Sequence, residues 1–286
     1  MKPTIKNKTI AFIRSIRPET TPIGMISVYI GGLVAGATLN SIELILAVIS
    51  TFFITSASMT INDFFDWKID TVNHPKRPIP MGILTQNEML YFSIIFFAIG
   101  SLISLFINTL CFAIAIFAIL FLIFYEVVSK KYGVMGNITV AFISSISFTF
   151  GGAAVGNPFA SISISVIAFL IILGREIIMD IRDAKGDSLA RITLPNQIGA
   201  RKSAYIACLI LLLAAIFSPL PFLFNIVSYL YLIIIIPVDL ITLIAIFWSL
   251  KDIQNAAKSA TILRFALIFG LVAFIAGIDW SLFAIA

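Results

Sequence analysis

Asn62, Asp63, Asp66 and Asp70 stand in the stretch TINDFFDWKID, where a long apolar run gives way to charge. On a helix turning about 100° per residue, the steps from 63 to 66 and from 66 to 70 keep the three aspartates within an arc of roughly 60°, so they face one way. The same three-then-four spacing returns in MDIRDAKGD as Asp180, Asp183 and Asp187, again where an apolar run ends. Six carboxylates turned toward one another repel unless cations lie between them. Hard oxygen ligands suit Mg2+, which takes carboxylates together with substrate phosphates. The pattern therefore points to a magnesium-bound diphosphate. One such cluster alone has the competing reading of a solvated helix end; its repetition argues for chemistry.

Cations stand near both clusters. TVNHPKRPIPMG follows the first, with three prolines and a glycine in twelve residues, and reads as an ordered loop with Arg77 at its middle. A guanidinium is a rigid fork suited to phosphate oxygens. Tyr125 ends an apolar run, with Lys130 and Lys131 just beyond it. Arg175 and Glu176 lie inside an apolar run ahead of Asp180. Ionisable residues at such depth are expensive and usually paired or functional. Being adjacent, they point in different directions on a helix, which leaves Arg175 for the aspartates or a phosphate. His74 has no second ligand near it, Asp239 beside Pro237 has no evident role, and Cys111 and Cys208 lack metal-ligand spacing.

The elements that must position these groups follow from composition. Hydrophobic residues make up 60% of the 286 and charged residues 12%, and the mean hydropathy is +1.09. These values exclude an ordinary soluble domain. A spanning helix needs about 20 mostly apolar residues. Candidate spans fall near 22–40, 44–62, 88–107, 109–126, 138–156, 159–180, 203–219, 228–250 and 262–284. The expected fold is an all-α integral membrane bundle of about nine helices, forming one domain over 1–286, with long continuous apolar runs rather than the short alternating segments of a β-barrel. Residues 1–21 read as a cytosolic segment without a signal peptide, in which Ile5, Ile10, Phe12, Ile13 and Ile16 among basic residues allow either an amphipathic surface helix or a plain basic anchor.

Lys and Arg collect in cytoplasmic loops. With the N-terminus inside, all 19 basic residues fall on the inner side, and the outer connections near 40–43, 107–110, 156–159 and 219–228 hold none. Both aspartate clusters then open to the cytosol of a multi-pass cell-membrane protein. The net charge of +5 is concentrated on that face, where it suits anionic lipid heads or phosphorylated substrates rather than nucleic acid. No protein partner is implied.

Taken together, these residues resemble the membrane-embedded prenyltransferases of the UbiA superfamily. NDFFDWKID is similar to that family's first NDxxDxxxD motif and DIRDAKGD to its second, DxxDxxxD; NHPKRPIPMG resembles its N-x-P-x-R-P-I-P-x-G signature, and Tyr125 with Lys130 and Lys131 its tyrosine-to-lysine motif. Arg17-Pro18 matches the family's opening Arg-Pro, with Thr20 where the family usually carries Asn. The likeness runs from Arg17 through the last span. It implies a prenyltransferase using an isoprenoid diphosphate, with Asn62, Asp66, Asp70, Asp183 and Asp187 holding Mg2+, Asp63 and Asp180 beside them, and Arg77, Lys130 and Lys131 on phosphate. The surroundings of the second motif, REIIMDIRDAKGDSLARITLP, are most similar to the archaeal branch, which moves a geranylgeranyl group onto the free hydroxyl of geranylgeranylglyceryl phosphate. Such a lipid-phosphate acceptor brings its own dianion, for which Arg17 first, then Arg175, Arg182 and Lys185, are available. Quinone-forming members with 4-hydroxybenzoate or naphthoate acceptors share the same aspartates.

Two other classes fit less well. A CDP-alcohol phosphotransferase keeps its aspartates in one short block, whereas about 110 residues separate these. A cation transporter needs carboxylates near the midplane on broken helices, and these stand at span ends.

Overall fold

The computed structural model describes residues 4–187 and 192–278, and within them all side chains but those of Lys6, Lys185, Asp187 and Ile253. The described chain is helical throughout its apolar runs, as a lipid environment demands, since a helix satisfies its own backbone polar groups. A short helix α1 (Ile5–Ser15) precedes α2 (Thr21–Val34), α3 (Ile42–Asn73), α4 (Gln86–Ile107), α5 (Thr109–Val127), α6 (Gly133–Ala154) and α7 (Pro158–Asp187). The short α8 (Leu194–Ile198) then leads into α9 (Ala200–Phe217), α10 (Leu220–Leu223), α11 (Tyr229–Lys251) and α12 (Ala256–Gly277). Among the described residues, eight helices are long and apolar enough to cross a membrane. The first apolar helix, α2, has 14 residues, about 21 Å of rise, because the chain turns at Gly36 with φ +97°. Together these make the all-α membrane bundle expected from composition, and the protein is an integral multi-pass membrane protein.

α3 and α7 run well past the C-terminal ends of their expected spans, and α6 starts five residues before its expected 138. α3 continues from the apolar run through the aspartates to Asn73, and only His74, φ −136° ψ 60°, leaves the helix. A residue before proline is pushed out of the helical region, so Pro75 sets this stop. α7 likewise carries Asp180 and Asp183 on unbroken helix. The loop read as starting at 71 is thus helical over its first three residues. α12 starts at Ala256, six residues before the expected 262, while 279–284 lies outside the described residues.

Local chemistry fixes the starts. Ser41 accepts from Leu44 N at the head of α3, Thr85 and Glu88 form a reciprocal capping box on α4, and Asn108 accepts from Cys111 N on α5. α1 rests on the bundle through Phe12, stacked on Phe92 with centroids 4.7 Å apart, and an ion pair between Lys8 and Glu88.

α2 and α6 meet backbone to backbone. A Cβ on Gly31 would come 2.0 Å from Phe148 O, and one on Gly151 would come 1.9 Å from Val28 O. Small residues let membrane helices approach this closely. Around that seam α2, α3, α5, α6, α7, α11 and α12 enclose a cavity of about 570 Å³. Its wall is mainly Ile, Leu, Ala, Ser and Thr, with three phenylalanines, Phe148, Phe150 and Phe274. Other phenylalanines, such as Phe106 and Phe159, are exposed on the outer surface where lipid would lie.

Candidate active site at the mouth of the cavity

α3 supplies one wall of the cavity with Thr51, Thr55 and Ser58, and at helical spacing these lead to Asn62, which lines its mouth with Arg17, Tyr125 and Glu126. Directly beside it on α3 is Asp63, 4% exposed, and about two turns further is Asp70, 3% exposed. Charge buried this deeply is tolerated only when paired, and the partners are present. Arg17 donates to Asn62 Oδ1 and Asp63 Oδ1, each at 3.1 Å. Arg77 pairs with Asp70 and stands 3.3 Å from Asp63 Oδ1. The expected phosphate-binding loop therefore folds back onto the aspartates, and turns at Gly82 with φ +68°. Arg17 itself has φ +50°, an unusual conformation for a bulky residue; Pro18 behind it closes off the right-handed helical region. Such strain persists where the surroundings over-determine it.

The second wall comes from α5 and the 3-10 turn Ser129–Lys131. Lys130 pairs with Asp66 and, at 3.0 Å, with Glu126 Oε2, while Asn62 Nδ2 donates to Glu126 Oε1 at 2.8 Å. Burial disfavours the Lys130 ammonium, but Glu126 and Asp66 outweigh it, so its pKa lies above the ordinary 10.5. Tyr125 lies with its ring 5.8 Å from Lys130 Nζ. Lys131 is exposed, and among the described residues it is Lys130 of the two that pairs with the cluster's carboxylates.

The second motif is held differently. Asp180 is 7% exposed and accepts from Asn137 Nδ2 at 2.7 Å. Asp183 receives both Arg182 bonds, at 2.7 and 2.6 Å, on the exposed face of α7. The side chains of Asp187 and Lys185 lie outside the described residues. Arg175 and Glu176, expected to diverge, pair at 3.0 Å, because a long guanidinium folds sideways to its neighbour when the depth offers little water. Beyond α7 the chain returns to the first cluster: Gly133 N donates to Ile192 O at 2.7 Å and Ile192 N to Lys131 O at 3.3 Å. A side chain on Gly133 would collide with Thr193 Cα at 2.5 Å. The backbone thus ties the segment after the second motif to the turn carrying Lys130.

Among the described residues, no three His, Cys, Asp or Glu converge closely enough to cage a metal by themselves. That arrangement fits Mg2+, which takes one or two carboxylates and completes its shell with substrate phosphates and water. The donors on offer, Asn62, Asp63, Asp66, Asp70, Asp180 and Asp183, are all hard oxygens. Glu126 and Asn137, which the motif spacing did not single out, turn out to hold this ensemble together. Glu126 was legible as a lone acid at the edge of an apolar run, whereas only the fold pairs Asn137 with Asp180.

The sequence profile of the UbiA prenyltransferase family matches residues 24–269. A digeranylgeranylglyceryl phosphate synthase from Methanosarcina mazei is 40% identical over 232 residues, covering 79% of each chain. One from Methanothermobacter thermautotrophicus is 32% identical over 269 residues, covering 93% of this chain and 95% of its own. A solved structure of a digeranylgeranylglyceryl phosphate synthase superposes with a TM-score of 0.84 at 34% identity, covering 94% of this chain and 98% of that one. A UbiA homologue from Archaeoglobus fulgidus bound to GPP and Mg2+ shares the fold, with a TM-score of 0.73 at 21% identity over 96% of this chain and 99% of its own.

Proposed function

Since this chain belongs to the UbiA prenyltransferase family, we propose that it transfers a geranylgeranyl group from geranylgeranyl diphosphate to the free hydroxyl of geranylgeranylglyceryl phosphate, with Mg2+, on the cytosolic side of an archaeal cell membrane. The observation that carries this reading is one continuous path. An apolar cavity of about 570 Å³ ends in a mouth where Arg17, Arg77 and Lys130 stand among Asp63, Asp66 and Asp70. The synthase name of the relatives at 40% and 32% identity supports the acceptor. The confinement of all 19 basic residues to one side supports a cytosolic N-terminus and mouth.

The tail of the donor lies in the cavity and its diphosphate at the mouth. The allylic carbon–oxygen bond breaks with its electron pair leaving on pyrophosphate, the acceptor hydroxyl oxygen bonds to the freed carbon, and the hydroxyl proton passes to solvent. Arg17, Arg77 and Lys130, already fixed by the carboxylates, hold charge where it develops on the leaving group, so no reorganisation is required at that moment. Asn62, Asp66, Asp70, Asp183 and Asp187, with Asp63 and Asp180 beside them, would hold Mg2+, which supplies further stabilisation of that charge. The apolar wall around Tyr125 keeps water from the cation.

The test is to incubate purified protein and Mg2+ with geranylgeranyl diphosphate and, separately, geranylgeranylglyceryl phosphate, 4-hydroxybenzoate and dihydroxynaphthoate. Product from the glycerol phosphate alone is expected. Preference for an aromatic acceptor overturns the lipid assignment.

A further inference from the structure

The mouth has another wall, and its charge is of the opposite kind. On α7 the cavity-lining positions Ala168 and Ile171 continue at helical spacing to Arg175. On α12, Leu271 and Leu267 continue in the same way to Arg264. Arg182, seven residues past Arg175, returns to within about 20° of the same face of α7. The two stripes that line the tail cavity therefore both end, on the side of the aspartate motifs, in arginine.

Arg175 is the most confined of the three. Its side chain is 14% exposed, and among the described residues it ion-pairs from Nη1 with Glu176. Its Nε–H is buried and has no hydrogen-bond partner among the described residues. A buried donor left unpaired is costly, so a site that retains one is built for something that arrives later. Among the described residues, one carboxylate, Glu176, and two further guanidiniums, Arg264 and Arg182, act on Arg175 at the cavity edge, and Arg182 also bonds Asp183. A guanidinium fork there matches the oxygens of a phosphate.

We propose that Arg175 and Arg264, flanked by Arg182, bind the phosphate of the glycerol-phosphate acceptor. This rests on the reaction proposed above and adds which wall serves which substrate. Arg17, ranked first for the acceptor by sequence, is bound to Asn62 and Asp63 and so belongs with Arg77 and Lys130 to the donor's diphosphate. The acceptor needs cations of its own, and the α7–α12 wall provides them. Glycerol places the phosphate within a few bonds of the free hydroxyl, so anchoring the phosphate at one wall presents the hydroxyl toward the donor held at the other.

The experiment measures donor and acceptor KM for wild type, Arg264→Ala, Arg175→Gln and Arg175→Lys, using geranylgeranylglyceryl phosphate and, in parallel, the neutral geranylgeranylglycerol. Arg264→Ala and Arg175→Gln should each raise the KM for the phosphorylated acceptor about tenfold or more. Donor KM and use of the neutral acceptor should stay near wild type, and Arg175→Lys should recover part of the loss. An unchanged acceptor KM in both variants overturns the assignment. So does an equal loss on the neutral acceptor, which a merely structural role would give, or a rise in donor KM. Arg264 is exposed, so its variant keeps the test meaningful should Arg175→Gln fail to fold. Wild-type protein that turns over aromatic acceptors and neither glycerol acceptor overturns the parent reaction, a result distinct from all of these.

Discussion

The two aspartate motifs share one spacing and live in different surroundings. In the first, Asp63 and Asp70 are buried under Arg17 and Arg77, and Asp66 shares Lys130 with Glu126. In the second, Asp180 is buried against the neutral Asn137, and the half-exposed Asp183 pairs, among the described residues, with its neighbour Arg182. Spacing on a helix determines which side chains share a face. Whether that face is clamped or open depends on what the fold brings to it. The first motif is clamped by cations from other segments before any substrate arrives, while the outer carboxylate of the second is paired with its sequence neighbour at a half-exposed position.

The largest effect that tests this contrast is on turnover. Asp66→Ala and Asp183→Ala should each lower kcat by about 100-fold or more; a loss in only one would show that a single motif carries the metal. Next comes stability, where the two motifs should part. Asp63→Ala takes the carboxylate from Arg17 at a buried site, leaving Arg77 to Asp70, and should cost about 3 kcal/mol, whereas Asp183→Ala at a half-exposed position should stay within about 0.5 kcal/mol. Thermal unfolding in detergent decides it, and equal melting temperatures would erase the contrast. Glu126→Gln leaves Asn62 in contact but takes a charge from Lys130, and a loss of about tenfold in kcat is expected; a wild-type rate would show that Lys130 needs only Asp66.

Chelation with EDTA should stop turnover, and Mg2+ should restore it. The substrate-free melting temperature should not move, because arginine and lysine already balance the first motif; a large drop would mean the metal is structural. The smallest effect concerns pH. Lys130 has a raised pKa in the folded protein, so its contribution to stability is complete below its unfolded pKa and is lost only as pH climbs through the higher folded one. Between about pH 7 and about pH 9 its network should contribute no pH dependence, and a melting temperature that falls steadily across that range in wild type but not in Lys130→Met would contradict this.

Much of this was legible in the sequence. Apolar runs announced the spans, and the aspartate spacing and the NHPKRPIPMG loop announced the mouth, because both signals are local. Helix ends were less so: polar residues after Ile61 suggested a membrane edge and hence a helix end, yet nothing before Pro75 prevents the helix from continuing. Least visible were contacts between distant segments. Asn137 to Asp180 spans 43 residues, and Asn62 to Glu126 spans 64. No periodicity encodes such pairs; they follow from the glycine-mediated seam of α2 with α6 and from the tie between Gly133 and Ile192.

α3 holds one more consequence. Its 32 residues make a rod of about 48 Å, against a hydrocarbon thickness of about 30 Å, and the same rod bears Thr51 and Ser58 in the cavity and Asp66 and Asp70 at the mouth. In the proposed reaction, tail and headgroup are therefore gauged on one ruler: a prenyl chain that seats poorly against the lower marks shifts the upper ones too. Shortening the donor should consequently depress kcat and not merely weaken binding, since energy gained along the tail is what brings the reacting carbon into register.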